Sequence, residues 1–263
     1  MLDGLRGAGV DLSEADLIVG TSAGALAGAP LAGGALDRAV EIYGRSEISP
    51  FQAPGTFDEF MAAAARVAAD ALDAQDAVKR TANLDPLGSS LVSTEEAANL
   101  FDALLPLAAW PQKRLVITAT DVESGLRVAF DADSDVRLLD AVRASCAVPG
   151  VFSSIPIDAA RNADGGLRSP YNADLAEGHR VVTVLTPLGA NPYLQRLLDA
   201  EIASLRDTAV RVIMADEASL SAIGPDLLST LKTQAALDAG RAQAARESET
   251  LRSMWPARER QPG

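Results

Sequence analysis

Cysteine and histidine are nearly absent: Cys146 and His179 are the only ones in 263 residues. A lone thiol forms no internal disulfide and no thiolate-rich metal site. A lone imidazole rules out a histidine-cluster zinc site and the H-E-x-x-H motif, which leaves only carboxylates for a hard metal. Basic residues are scarce as well, 23 against 36 acidic, for a formal charge of -13. Such a field repels phosphate backbones and anionic headgroups, so nucleic acid is not an expected partner. Aromatics make up 4%, yet 48% hydrophobic and 22% charged residues are ordinary for a globular chain. One large domain is expected over residues 1–250. The opening MLDGLRGAGV has neither a basic start nor an apolar run, so it does not read as a secretory leader, and a reducing cytoplasm is the expected compartment.

Long apolar runs are missing too, with one stretch that could mislead. Residues 17–36, LIVGTSAGALAGAPLAGGAL, carry no charge over about the length of a membrane span. Five glycines and a proline dilute it, and its strongly apolar part is Leu17, Ile18 and Val19, which is strand length.

Periodicity predicts a short opening helix with Leu2, Leu5 and Val10 on one face, a strand over 16–20 and a helix from Ala23 to Leu31. An alanine-rich helical insert follows over about 37–108, interrupted by Pro50 and Pro54. Strands are expected at 114–120, 126–130, 153–157, 180–185 and 210–215, with helices carrying Leu138, Leu139, Val142 and Cys146, near 192–207 and over 226–250. Strands interleaved with helices imply an α/β fold with a largely parallel sheet covered on both faces. Residues 251–263 read as a flexible tail.

Gly20-Thr-Ser22-Ala23-Gly24 fits the G-x-S-x-G nucleophile elbow, and it stands between a buried strand and a helix, as an elbow must. Small flanking residues let the hydroxyl stand clear, and the Ala23 N–H at the helix head can face an oxyanion. A serine needs a base. His179 lies in a turn after Gly178, where a partly exposed histidine without a role is common. Asp164, in Asn162-Ala-Asp164-Gly165-Gly166, is the other candidate; Asp-Gly is a frequent turn dipeptide, but two glycines let a loop approach a neighbour closely. Cys146 reads as a packed helix residue.

Together, GTSAG, ITATDVESG at 117–125, ASCAVPGVF at 144–152 and DGGLRSPYNADLA at 164–176 resemble the bacterial patatin-like phospholipases over most of the chain. The resemblance implies a three-layer α/β/α sandwich with a mainly parallel central sheet, a Ser-Asp dyad of Ser22 (nucleophile) and Asp164 (base), and hydrolysis of lipid acyl esters without a cofactor. Lipid or another acyl ester is then the substrate, with transient membrane-surface contact compatible and the oligomeric state open. Gly20, Ala23, Gly24, Gly165 and Gly166 would support the elbow and the oxyanion. The family's first strand and its GGGxxG loop, which supplies oxyanion donors, have no counterpart here, since Met1 to Arg6 resemble the helix after that loop. The elbow strand's flank is therefore expected to be unpaired. Two alternatives remain, a Ser-His-Asp esterase or thioesterase using His179 and a truncated, catalytically silent homologue.

Overall fold

A computed structural model describes residues 1–45, 56–84, 90–228 and 232–255. Ten α-helices, three short 3-10 helices and seven strands occur among them. The opening helix α1 (Leu2–Gly7) leads to β1 (Ile18–Thr21), and a single tight turn joins β1 to α2 (Ala23–Ala32). The insert supplies α3 (Leu36–Gly44), α4 (Thr56–Ala69), α5 (Ala74–Ala82) and α6 (Thr94–Leu104) before the chain returns as β2 (Leu115–Asp121). Pro50 and Pro54 lie outside the described residues. The start of α6 is fixed by a reciprocal capping box, in which the Ser93 hydroxyl accepts the Glu96 N–H and the Glu96 carboxylate accepts the Ser93 N–H.

After β2 come β3 (Arg127–Phe130), α7 (Leu138–Ser145), β4 (Ile155–Ile157) and β5 (Ala160–Asp164). Then follow β6 (Val181–Thr186), α8 (Pro192–Ser204), β7 (Ala209–Met214), α9 (Glu217–Ile223) and α10 (Thr233–Met254). The α/β class is as expected, with helices around a sheet whose β1–β2 pair is parallel and with a second parallel pair, β6–β7. To β2 are added β3 and β5, and to β5 is added β4, all antiparallel. Among the described residues no strand pairs with the outer edge of β1. No described helix is long and apolar enough to cross a membrane.

Two elements were not legible in the sequence. β5 was expected to be a catalytic loop; Ala160–Asp164 carries too little apolar alternation to read as a strand, and its extended form comes from pairing with β2 and β4. α9 is the other, although Asp216 caps it by accepting the Ser219 N–H, a local signal that was available. The last helix begins at Thr233 rather than near 226, and it continues to Met254 with Leu251 fully buried, so helical packing extends past residue 250.

Strand register decides where the site forms. Ile117 and Thr118 of β2 pair with Gly20 and Thr21 of β1 and also with Phe130 and Ala129 of β3. A strand has two edges, so β1 and β3 flank β2 on opposite sides. Ala119 and Thr120 pair with Val128 and Arg127 of β3 and with Asp164 and Ala163 of β5. β5 therefore lies along the same edge of β2 as β1, beginning where β1 stops. Because β1 runs parallel to β2 and β5 antiparallel, their carboxyl ends face each other beside Thr118 and Ala119.

The main core gathers Leu5, Ile18, Leu115, Ile117, Phe101, Val142 and Leu251, so α1, the insert and α10 all close over the first sheet. Each such side chain contributes about 1.5–3 kcal/mol by leaving water. A second cluster of Tyr171, Ala173, Val182, Val184, Leu198 and Leu205 seats the segment after Asp164 on β6 and α8.

Candidate active site

Ser22 stands at the junction of β1 and α2 with φ 54° and ψ −123°, a conformation that costs a non-glycine residue about 1–3 kcal/mol. Its surroundings hold it there. The Ser22 N–H donates to Ser145 Oγ at 2.8 Å, and Ser145, at the end of α7, is fully buried. A methyl group at Gly20 would lie 2.7 Å from the Ala25 Cα, so only glycine allows the helix to turn back so tightly. Gly24 is different: it was expected to give steric room, but a methyl there meets nothing within 4 Å, because the head of α2 is open and Ala23 and Gly24 are exposed. The first N–H groups of a helix have no partner within it, so this open end offers donors to an anion.

Asp164 approaches from the opposite direction as the last residue of β5. It is held at several points: its N–H donates to the Ala147 carbonyl at 2.9 Å, its carbonyl accepts the Thr120 hydroxyl at 3.0 Å, and its Oδ1 accepts the Gly166 N–H at 2.7 Å. Oδ2 is left for Ser22, whose hydroxyl donates to it at 2.6 Å. Gly165 and Gly166 fit the close approach expected of them. A methyl on Gly165 would sit 2.4 Å from the Thr118 carbonyl oxygen, and one on Gly166 would sit 3.0 Å from the Asp164 carboxylate itself.

Burial pushes the Asp164 carboxyl up to about 6, against the downward pull of the Ser22 hydroxyl and the Gly166 N–H. The nearby Cys146 thiol is also raised, first by burial and then by the Asp164 charge, so it stays protonated and unreactive. A base accepts a proton only when ionised. Turnover that uses Asp164 is therefore expected to rise with pH through a limb centred near 6 and to level off above it. A kcat/KM profile on a soluble ester, from pH 4.5 to 8.5, checks this; a flat profile would remove Asp164 from that role.

His179 is elsewhere. Its Nδ1 lies 3.1 Å from the Ala176 carbonyl in the turn before β6, and among the described residues it makes no hydrogen bond to Ser22 or Asp164. No group of histidine, cysteine or carboxylate side chains suited to a metal occurs among the described residues. Sequence reasoning missed Ser145, Thr21, Thr118 and Asn172, which contact the elbow or its flank. Ser145 and Asn172 both stand within blocks already noted, ASCAVPGVF and DGGLRSPYNADLA, which was the only signal available.

Comparison with known proteins bears on this geometry. No curated protein matches the chain. The family model described as patatin-like phospholipase matches residues 2–177, a span that includes the elbow, the insert, α7 and the Asp164 segment. The chain therefore belongs to the patatin-like phospholipase family.

Proposed function

We propose that the protein is a serine acyl hydrolase that cleaves lipid or phospholipid esters through a Ser22–Asp164 dyad and an acyl-enzyme intermediate. Members of its family are lipid acyl hydrolases. The observation that carries the dyad is the 2.6 Å hydrogen bond from Ser22 Oγ to Asp164 Oδ2. In the first step Ser22 Oγ bonds to the ester carbonyl carbon as its proton passes to Asp164, and the oxyanion faces the open head of α2. The tetrahedral intermediate expels the alcohol, which leaves with that proton. Water then gives a proton to Asp164 and attacks the acyl-enzyme, and the fatty acid departs as Ser22 regains its hydrogen.

The alanine-rich insert would supply the apolar wall that an acyl chain needs, although ordinary core packing accounts for the same residues equally well. Phe60, Val92, Ala97 and Phe101 of the insert are absorbed in the main core, and the Phe101 and Phe152 rings pack at 5.4 Å. Between the insert and the Asp164 segment lies a cleft of about 260 Å³ whose lining is more polar than apolar, with Asn83, Ser90, Ser153 and Arg161 beside Ala82, Leu84 and Phe152, and neither Ser22 nor Asp164 lines it.

The esterase reading that uses His179 makes an opposite prediction. In the dyad reading, His179→Ala leaves hydrolysis of a p-nitrophenyl ester within about twofold of wild type, whereas loss of a required general base costs about 100- to 10,000-fold. Steady-state rates of the two proteins decide between them.

A further inference from the structure

We infer that Asn172 is the positioning residue of the Ser22–Asp164 pair, acting through the hydroxyls of Thr21 and Thr118; this rests on the acyl-hydrolase reading above. Thr21 directly precedes Ser22, and Thr118 lies opposite it on β2. Their hydroxyl oxygens are 2.8 Å apart. Asn172 is fully buried; one hydrogen of its Nδ2 goes to the Ser169 carbonyl at 2.6 Å and the other is shared between Thr21 Oγ1 at 3.1 Å and Thr118 Oγ1 at 3.2 Å. Its Oδ1 accepts from Arg127 Nη1 at 3.2 Å and Arg168 Nη1 at 3.4 Å. The amide orientation is unambiguous, since a carbonyl can only accept and a guanidinium can only donate.

The same knot reaches the other partner. Thr118 is the residue against which Gly165 is packed, and Gly165 directly follows Asp164. Residues adjacent to both members of the pair are thus fastened to one buried side chain. That side chain is itself anchored. Arg127 forms a two-pronged ion pair with Asp174 at 2.7 and 2.8 Å, the Ser169 hydroxyl accepts the Asn172 N–H, and Glu201 of α8 accepts the Ala173 N–H at 2.8 Å. Asn172 adopts φ 49°, a left-handed conformation that asparagine tolerates better than most residues. A buried asparagine could simply satisfy a corner of the chain. That bland role predicts no coupling to Ser22.

Two variants and a titration separate these roles. Thr21→Val removes one hydroxyl at constant shape, and Asn172→Gly removes the amide while keeping the left-handed backbone unstrained. Each is expected to slow labelling by a fluorophosphonate roughly 10- to 100-fold, as displacement of a reacting group does. Leu251→Ala, a fully buried substitution on α10, which packs on α1, α3, α9 and β7, is expected to lower Tm by at least as much as either variant does, with labelling unchanged. Carbon-13 titration of Asp164 supplies a readout independent of turnover. Losing the Ser22 hydrogen bond raises the Asp164 midpoint, so Thr21→Val should raise it in the wild-type background and leave it unmoved in a Ser22→Ala background. A shift of equal size in both backgrounds, or in neither, overturns the positioning role. If wild type takes no label while the titration still shows coupling, the hydrolase reading fails and the positioning of the pair stands.

Discussion

Asp164→Asn is expected to reduce ester hydrolysis about 100- to 10,000-fold and, at neutral pH, to make the protein more stable. Asparagine cannot accept the Ser22 proton, and loss of a general base costs about 100- to 10,000-fold. The gain in stability follows from burial. The Asp164 carboxyl sits near 6 in the folded protein against an ordinary value of 3.8, so the folded state holds the proton more tightly than the unfolded chain. Well below pH 3.8 both states are protonated and nothing is lost. As pH rises through the window from about 4 to 6 the unfolded chain ionises first and folding is penalised, by about 2–3 kcal/mol once both are ionised. Asparagine carries no such charge. Denaturation of both proteins at about pH 3 and pH 7 checks the sign, with near-equal stability at the lower pH and a more stable variant at the higher. A variant less stable at pH 7 would mean that the carboxylate is stabilised by its site rather than strained in it.

Gly165→Ala is expected to reduce turnover about a hundredfold, as misplacing a reacting group does, and to destabilise the fold by about 1–3 kcal/mol, as overpacking does. The added methyl would lie 2.4 Å from the Thr118 carbonyl oxygen and 2.7 Å from its hydroxyl. Thr118 is fully buried in β2 between two paired strands, so the movable party is the end of β5. Moving it draws Asp164 away from Ser22, whose 2.6 Å hydrogen bond has little room to lengthen. Gly24→Ala is the comparison: open space surrounds that position, and a first-turn alanine favours the helix by up to about 1 kcal/mol. Melting temperatures of the two variants, with rates for Gly165→Ala, test the contrast. Equal losses of stability would show that packing at Thr118 is not the reason for the glycine.

These effects trace back to what could and could not be read from residue order. The elbow was legible because its determinants are local: Leu17, Ile18 and Val19 make a strand, small residues permit the turn, and a helix follows at once. Asp164 was legible as a residue through its motif and not as structure. The polar run Ala160–Asp164 becomes a strand only when β2 supplies the edge beyond β1, and that edge is a property of register between distant segments. Ser145 and Asn172 lie further from view. Their hydrogen bonds to the elbow span 123 and 151 positions, and neither residue carries a local pattern that predicts such a bond. The open surface over Gly24 was misread for a related reason, since a G-x-S-x-G match gives identity without saying which glycine is crowded.

The most direct test of the dyad is chemical. A fluorophosphonate reacts with a serine only when its hydroxyl is activated. Treatment of wild type and Asp164→Asn, followed by peptide mass spectrometry, is expected to find the adduct on Ser22 of wild type and almost none on the variant. An adduct on another residue, or one formed on Ser22 at an undiminished rate without the carboxylate, would contradict the pairing of Ser22 with Asp164.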